Sequence, residues 1–401
     1  MPNGFSVNGR RFAKLNKSLY GLKQAAHDWY NLSNTVIMAF DSRIRRSRLD
    51  PCFYFIICNP LIFLINVHVD DYVIATNDSS FYKKFVKHMK SNFDVNDLGD
   101  LKYVTGVKVE IEKGNIYMSQ HREINDLLKK FGMTDCIPSK KPMIKSTVNY
   151  SPGVMNTDLP DVPYRSLLGS LMWISGNTRP DIRAAVIIHS SYTNCYTIAH
   201  WNSLKSILRY LKGTVHYRFC YSHPGYDASP FKETEVVLFC DSDWGENKIN
   251  RRSLSGAITF LYENPICFTC MYQKSVATST SEAEYYAIAE AIKDGRHIIS
   301  ILSEIAKLSK PTILHCDNLG ACFMAENQVN NKRTRHIDIQ YHFIREAILA
   351  GEVRIAHVAS ENNWSDIFTK AEPAKVVFEY FINWIMMKLP GYKKALTTVV
   401  I

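Results

Sequence analysis

This sequence lacks most of the features that would sort it at once. The N-terminus, MPNGFSVNGRRF, has no apolar core of the kind a secretory signal needs. The longest apolar stretch, Cys52 to Val69, is interrupted by Asn59-Pro60 and again by Asn66 and His68. A bilayer crossing needs about 20 apolar residues and tolerates such breaks poorly, so two buried strands joined by a turn are expected there. A second apolar segment, VVFEYFINWIMMKL, is too short to cross and stops at Pro390, which suits a docking helix. An intracellular protein, cytoplasmic or nuclear and with no membrane partner, is the expectation.

Paired cysteines are also missing. Of ten, only Cys267 and Cys270 form a C-x-x-C, and nothing else stands at zinc-ligand spacing. Buried strand thiols in a reducing compartment fit that pattern. No G-x-S-x-G elbow, P-loop or H-E-x-x-H string occurs, and no fixed-period repeat or low-complexity tract. What remains is 401 residues that are 46% hydrophobic, 12% aromatic and 21% charged, the make-up of a packed globular chain too long for one core. Acids are outnumbered 38 to 48 by Lys and Arg, giving a net charge of +10. That balance favours a polyanionic partner such as nucleic acid, although a basic protein without that role would share it.

Along the chain, four segments separate. Residues 1–110 combine an aromatic-rich helical stretch with the strand pair at 52–69 and a strand-like KYVTGVKVE, predicting helices on an antiparallel sheet. Residues 111–230 are mostly helical by the spacing of their apolar positions, with a polar linker at Pro138 to Pro163. Residues 231–375 alternate strand and helix, predicting a mixed five-stranded α/β domain. Residues 376–401 hold the docking helix and a tail. The expected fold class is therefore multidomain, α+β followed by helical and then α/β.

The α/β segment places acids at the ends of its elements. VVLFC ends on Asp241, and a helix that Ser279 can cap, with Glu282 completing a capping box, carries Glu284 in its first turns. PTILHC ends on Asp317, and WSDIFTKA sets Asp366 on a last helix. Such acids could be scattered and solvated. If they converge, they repel one another unless divalent cations neutralise them, and Mg²⁺ accepts an all-oxygen donor set. Two ions about 4 Å apart can activate water and stabilise the leaving oxygen in phosphodiester hydrolysis.

The strings around these acids, DSDW, STSEAEYYAIAEA, HCDNLGA, RTRHIDIQYHFIRE and SDIFTKA, resemble in order the RNase H segment of copia-type retrotransposon Pol polyproteins. The resemblance implies that Asp241, Glu284, Asp317 and Asp366 bind two Mg²⁺, with Mn²⁺ a possible substitute, and cut the RNA strand of an RNA/DNA hybrid. Asp243 is not assigned to that site. Neither is His357, placed in a strand, nor His336 and His342, placed on the preceding helix.

Upstream, LNKSLYGLKQAAHDWY, LINVHVDDYVIAT and NDLGDLKYVTGVKV resemble the family's reverse-transcriptase palm, and YRSLLGSLMWISGNTRPDI and HWNSLKSILRYLKGTVHY the thumb and connection. By that resemblance Asp70 and Asp71 are polymerase metal ligands and Gln24 lies near the incoming nucleotide. Lys23, Arg43, Arg45, Arg46 and Arg48 are candidate contacts to a nucleic-acid backbone, or simply a solvated basic face. The chain departs from the family at His68, where the family has Tyr, and at Ala26-His27 after YGLKQ. The family's first polymerase aspartate precedes the YGLKQ string and is not among these residues, so polymerase activity is expected to be lost. A catalytically inactive nucleic-acid-binding remnant is the alternative reading.

Overall fold

A chain this long needs more than one core, and the computed structural model divides into two compact units, residues 1–100 and 101–401. It describes residues 15–143, 159–221, 236–262, 264–308, 311–327, 338–370, 373 and 375–386.

In the first unit, α1 (Ala25–Phe40) precedes the antiparallel strands β1 (Arg45–Arg46), β2 (Phe53–Cys58), β3 (Leu61–His68) and β4 (Asp71–Thr76), which lie in that order. β2 and β3 are the two strands expected from the broken apolar stretch. Helix α2 (Ser79–Asn92) follows, started by Asp78, whose carboxylate accepts from the backbone N–H groups of Ser80 and Phe81. Its residues Phe81, Phe85 and Met89, spaced four apart, lie on one face and pack with Tyr54, Ile56, Phe63 and Ile65 of the sheet.

The second unit opens with β5 (Tyr103–Val104), β6 (Val107–Glu112) and β7 (Asn115–Ser119), a sheet that β8 (Phe219–Tyr221) completes. KYVTGVKVE is thus a hairpin and not one strand, because Thr105 and Gly106 both adopt positive φ and reverse the chain. Position 110, the boundary expected from sequence, falls within β6. Between β7 and β8 come α3 (His121–Lys130), α4 (Tyr164–Asn177), α5 (Arg183–Ser190) and α6 (Ile198–Gly213). Residues 144–158 of the expected linker lie outside the described residues.

A five-stranded sheet follows: β9 (Val236–Ser242), β10 (Leu254–Leu261), β11 (Asn264–Tyr272), β12 (Thr312–Cys316) and β13 (Val353–His357), in the order β11-β10-β9-β12-β13. The first three pair antiparallel, and β9, β12 and β13 are parallel. Parallel strands need crossovers, supplied by α7 (Thr280–Ser303) and α8 (Leu319–Glu326) before and after β12, and by α9 (Asp338–Leu349) before β13. α10 (Lys375–Phe381) then runs into a π turn over Ile382–Met386, and Phe381, Ile385 and Met386 are buried as the docking segment.

Alternation along β9 explains why the sheet is covered on both faces. Val236, Leu238 and Cys240 join the core under α7, while Val237 and Phe239 join a second core made with α3 to α6 and α10. The helices of 111–230 and the sheet of 231–375 therefore share one core. Gly295 of α7 sits where a Cβ would come within 2.4 Å of Leu238, so its bare backbone sets how closely that helix approaches the central strand.

Candidate active site

The same alternation aims the acids. Asp241 follows Val237 and Phe239 on their face of β9. The parallel register pairs His315 of β12 with Phe239, so Asp317, two residues on, comes level with Asp241. Glu284 arrives from the opposite face, one turn into α7, and its Oε1 accepts from the Ser242 backbone N–H at 3.3 Å. Asp366 comes from a loop-borne turn after β13.

The helix expected for WSDIFTKA is a short 3₁₀ turn, Trp364–Phe368. Asn363, fully buried, accepts from the Ser365 N–H and hydroxyl and donates to the Cys240 carbonyl at 3.0 Å, tying the turn to β9. Asp366 N–H then bonds the Asn363 carbonyl and Thr369 N–H that of Asp366, the i→i+3 pattern of a tight helix. Gly256 of β10, paired with Asp241 across the ladder, makes room for it: a Cβ there would lie 2.6 Å from that of Phe368 and 3.0 Å from the Thr369 methyl.

The result is convergence. One oxygen each of Asp241, Asp317 and Asp366 lies within 4.8 Å of the others, and Asp317 makes a second such group with Glu284 and the Cys316 thiol. Asp241 and Asp366 are each 2% exposed and Glu284 is 6% exposed. Burial, reinforced by the neighbouring carboxylates, pushes the pKa of Asp241 and Glu284 well above the usual range, and burial raises that of Asp366 as well. Among the described residues, the Asp366 Oδ1 atom has no hydrogen-bond partner.

An orphaned buried oxygen amid crowded carboxylates is what a cation site looks like, and the all-oxygen set suits hard divalent ions such as Mg²⁺ or Mn²⁺. The residues present thus fit the metal that the resemblance implied. Further side chains brace the acids and were not singled out from sequence. Thr369 donates its hydroxyl to Asp241 Oδ2, Ser360 donates to Asp317 Oδ2 at 2.6 Å, and Lys370 Nζ lies 2.6 Å from Asp366 Oδ2. Thr369 and Lys370 stand three and four residues after Asp366, a spacing the sequence displays; Ser360 has no such signal.

Asp243 lies apart from the cluster and acts on its own loop. It accepts from the N–H groups of Leu254 at 3.0 Å and Glu246 at 3.4 Å, and burial lifts its pKa to about 7. His357, at the end of β13, reaches the Asp317 carbonyl at 3.2 Å. His342 is on α9, whereas His336 lies outside the described residues. The Ser279 cap of α7 accepts from Glu282 N–H, and the Glu282 carboxylate accepts from the Thr278 N–H and hydroxyl, one residue before the Ser279 of the expected capping box. Cys267 and Cys270, three apart on β11, alternate to opposite faces, and Cys270 donates to the Phe368 carbonyl.

In the first unit, Val69 and Asp70 form the two-residue turn between β3 and β4, with Val69 at φ 59° and His68 paired with Asp71. Asp70 and Asp71 are exposed, and Trp29 of α1 donates to the Val69 carbonyl at 2.6 Å, tying that helix to the turn. Gln24 and Lys23, both exposed, immediately precede α1. The basic cluster is partly engaged within the protein. Arg43 forms a two-point pair with Asp41, and Arg46 donates to the Tyr30 hydroxyl at 2.6 Å. Arg45, beside Arg46 on β1, and Arg48 are exposed.

Residues 1–145 match the family model described as reverse transcriptase (RNA-dependent DNA polymerase). The chain is 32% identical over 93% of its length to the retrovirus-related Pol polyprotein from transposon TNT 1-94 of Nicotiana tabacum, covering 28% of that protein. It is 33% identical over 96% of its length to that from transposon RE1 of Arabidopsis thaliana, covering 26%. The chain thus spans about a quarter of the length of these relatives. An RNase H1 isolated from compost aligns with 34% of this chain and 92% of its own at 13% identity, with a TM-score of 0.27, too low a likeness to argue from. The five-stranded sheet of the second unit is mixed, with three antiparallel strands continued by two parallel ones, as expected for residues 231–375. With the reverse-transcriptase match over residues 1–145 and similarity along nearly its whole length, the chain belongs to the copia-type retrotransposon Pol polyproteins.

Proposed function

We propose that the second unit is a metal-dependent ribonuclease of the RNase H type, cutting the RNA strand of RNA/DNA hybrids inside the cell. The observation that carries this reading is the convergence of Asp241, Glu284, Asp317 and Asp366, three of them buried, in a cluster that like-charge repulsion would otherwise drive apart. Asp241, Asp317 and Asp366 would hold one Mg²⁺, with Glu284 and Asp317 toward a second. When bound, such ions supply Lewis-acid stabilisation and an activated water.

The chain's own contribution is positional. Thr369 fixes one Asp241 oxygen, Ser360 fixes one of Asp317, and the Ser242 N–H holds Glu284. Their orientation is therefore set before a phosphodiester arrives, which lowers the reorganisation cost of the reaction. The net charge of +10 favours the polyanionic substrate.

Cleavage of a labelled RNA/DNA hybrid with Mg²⁺ or Mn²⁺ tests the reading. Asp241→Asn and Asp366→Asn are expected to lower the rate at least a hundredfold, and cutting at the wild-type rate by either would sink it. An inert protein that still binds duplexes in a salt-sensitive way would support the remnant reading. For the first unit, we propose that Asp70 and Asp71 supply two of the three carboxylates a two-metal polymerase uses.

A further inference from the structure

Lys370 is a cation placed within the cluster itself. Its ammonium lies 2.6 Å from Asp366 Oδ2 and 3.9 Å from Asp241 Oδ2, so it spans two of the acids assigned above to one metal. Burial works against its charge, but the two carboxylates hold its pKa above the usual lysine value. Only one oxygen of Asp366 is engaged this way, since Oδ1 has no partner among the described residues. The lysine side chain is still 39% exposed, so its four-carbon stem has a way out to solvent.

An ammonium and a divalent ion bound to the same pair of carboxylates repel each other across a few ångströms of poorly solvated space. Binding one at full strength therefore requires the other to withdraw. We propose that Lys370 is a built-in counter-ion that competes with the divalent metal: its ammonium offsets part of the negative charge shared by Asp241 and Asp366 and must leave them when metal binds. The competition lowers metal affinity and keeps the cluster from flying apart when divalent ions are scarce. Lys370 is thus a positioning residue acting on the acids, and the proposal rests on their being metal ligands.

Mn²⁺ binding to the full chain, without nucleic acid and at pH 8, tests this by calorimetry and by the loss of the free-ion electron paramagnetic signal. Lys370→Gln is expected to bind Mn²⁺ at least fivefold more tightly than wild type. It should also melt at a lower temperature in chelator and gain more on adding Mn²⁺. Lys370→Met, which keeps the apolar stem, carries the same expectation if the glutamine variant fails to fold, and Lys370→Arg should stay close to wild type. Unchanged or weaker Mn²⁺ binding by folded Lys370→Gln or Lys370→Met overturns the competition and leaves the nuclease reading standing. If wild type binds no Mn²⁺, or Asp241→Asn binds it equally well, the metal site itself is wrong and both fall.

Discussion

Gly256→Ala probes the link between packing and the acid cluster. The added methyl would sit 2.6 Å from the Phe368 Cβ, 3.0 Å from the Thr369 methyl and 3.2 Å from the Ser365 carbonyl. Carbon atoms rest about 3.5 to 4.0 Å apart, so the turn carrying Asp366 must move by about 1 Å. Overpacking of this kind costs about 1–3 kcal/mol. The loss of chain entropy in the unfolded state offsets about 0.4–1 kcal/mol of that, leaving a net loss on the order of 1–2 kcal/mol. Because Gly256 pairs with Asp241, the displacement opens the distance between Asp241 and the Asp366 turn directly. A shift of about 1 Å in a reacting group can cost roughly a hundredfold in rate. Urea denaturation and hybrid cleavage together measure both effects. Wild-type stability with a cleavage rate within about twofold of wild type would refute the argument that Gly256 seats the turn; lost stability at an unchanged rate would show the strain relieved away from Asp366.

Asp241→Asn should alter the pH dependence of stability in the absence of metal. A carboxyl whose pKa is raised by folding keeps its proton in the native state at pH values where the unfolded chain has lost it, so its contribution falls as pH climbs above about 4. The wild type, compared with Asp241→Asn in chelator, should therefore lose stability progressively between pH 5 and pH 8, and Mg²⁺ should reverse the loss. Parallel melting curves for the two proteins across that range would contradict this. Arg179→Ala tests the other core device: Arg179 and Asp181, with side chains 1% and 0% exposed, pair at 2.7 Å, and Tyr210 donates to the same Asp181 oxygen. Removing the guanidinium leaves a buried carboxylate unpaired, at a cost of about 3–5 kcal/mol by urea denaturation. Mn²⁺ affinity of the folded variant should not change, because this pair is separate from the four acids.

Much of this molecule was legible from local pattern. Alternating and apolar runs located β2 and β3 and all five strands of the second-unit sheet, because burial of one or both faces dictates residue type at a period of two. Asp241 and Asp317 were readable as acids ending strands for the same reason. The hairpin at Thr105-Gly106 was harder, since a two-residue reversal inside an apolar run leaves that pattern nearly intact. The helix expected at Asp366 is a tight 3₁₀ turn because Asn363, bonded to β9, and Gly256, on β10, impose it from a distance.

Sequence by itself thus determined most of the element types, the carboxylates and the surplus of basic charge, each a matter of composition or of residues within a few positions of one another. Tertiary structure alone decided that Asp317 comes level with Asp241, which depends on the register of two parallel strands over seventy residues apart in the chain. It alone placed Thr369 on Asp241, Ser360 on Asp317 and the Lys370 ammonium between Asp241 and Asp366. The contacts to Asp241 and Asp317 belong to no local pattern, because those partners are neighbours only after the sheet has formed and the last turn has packed against it.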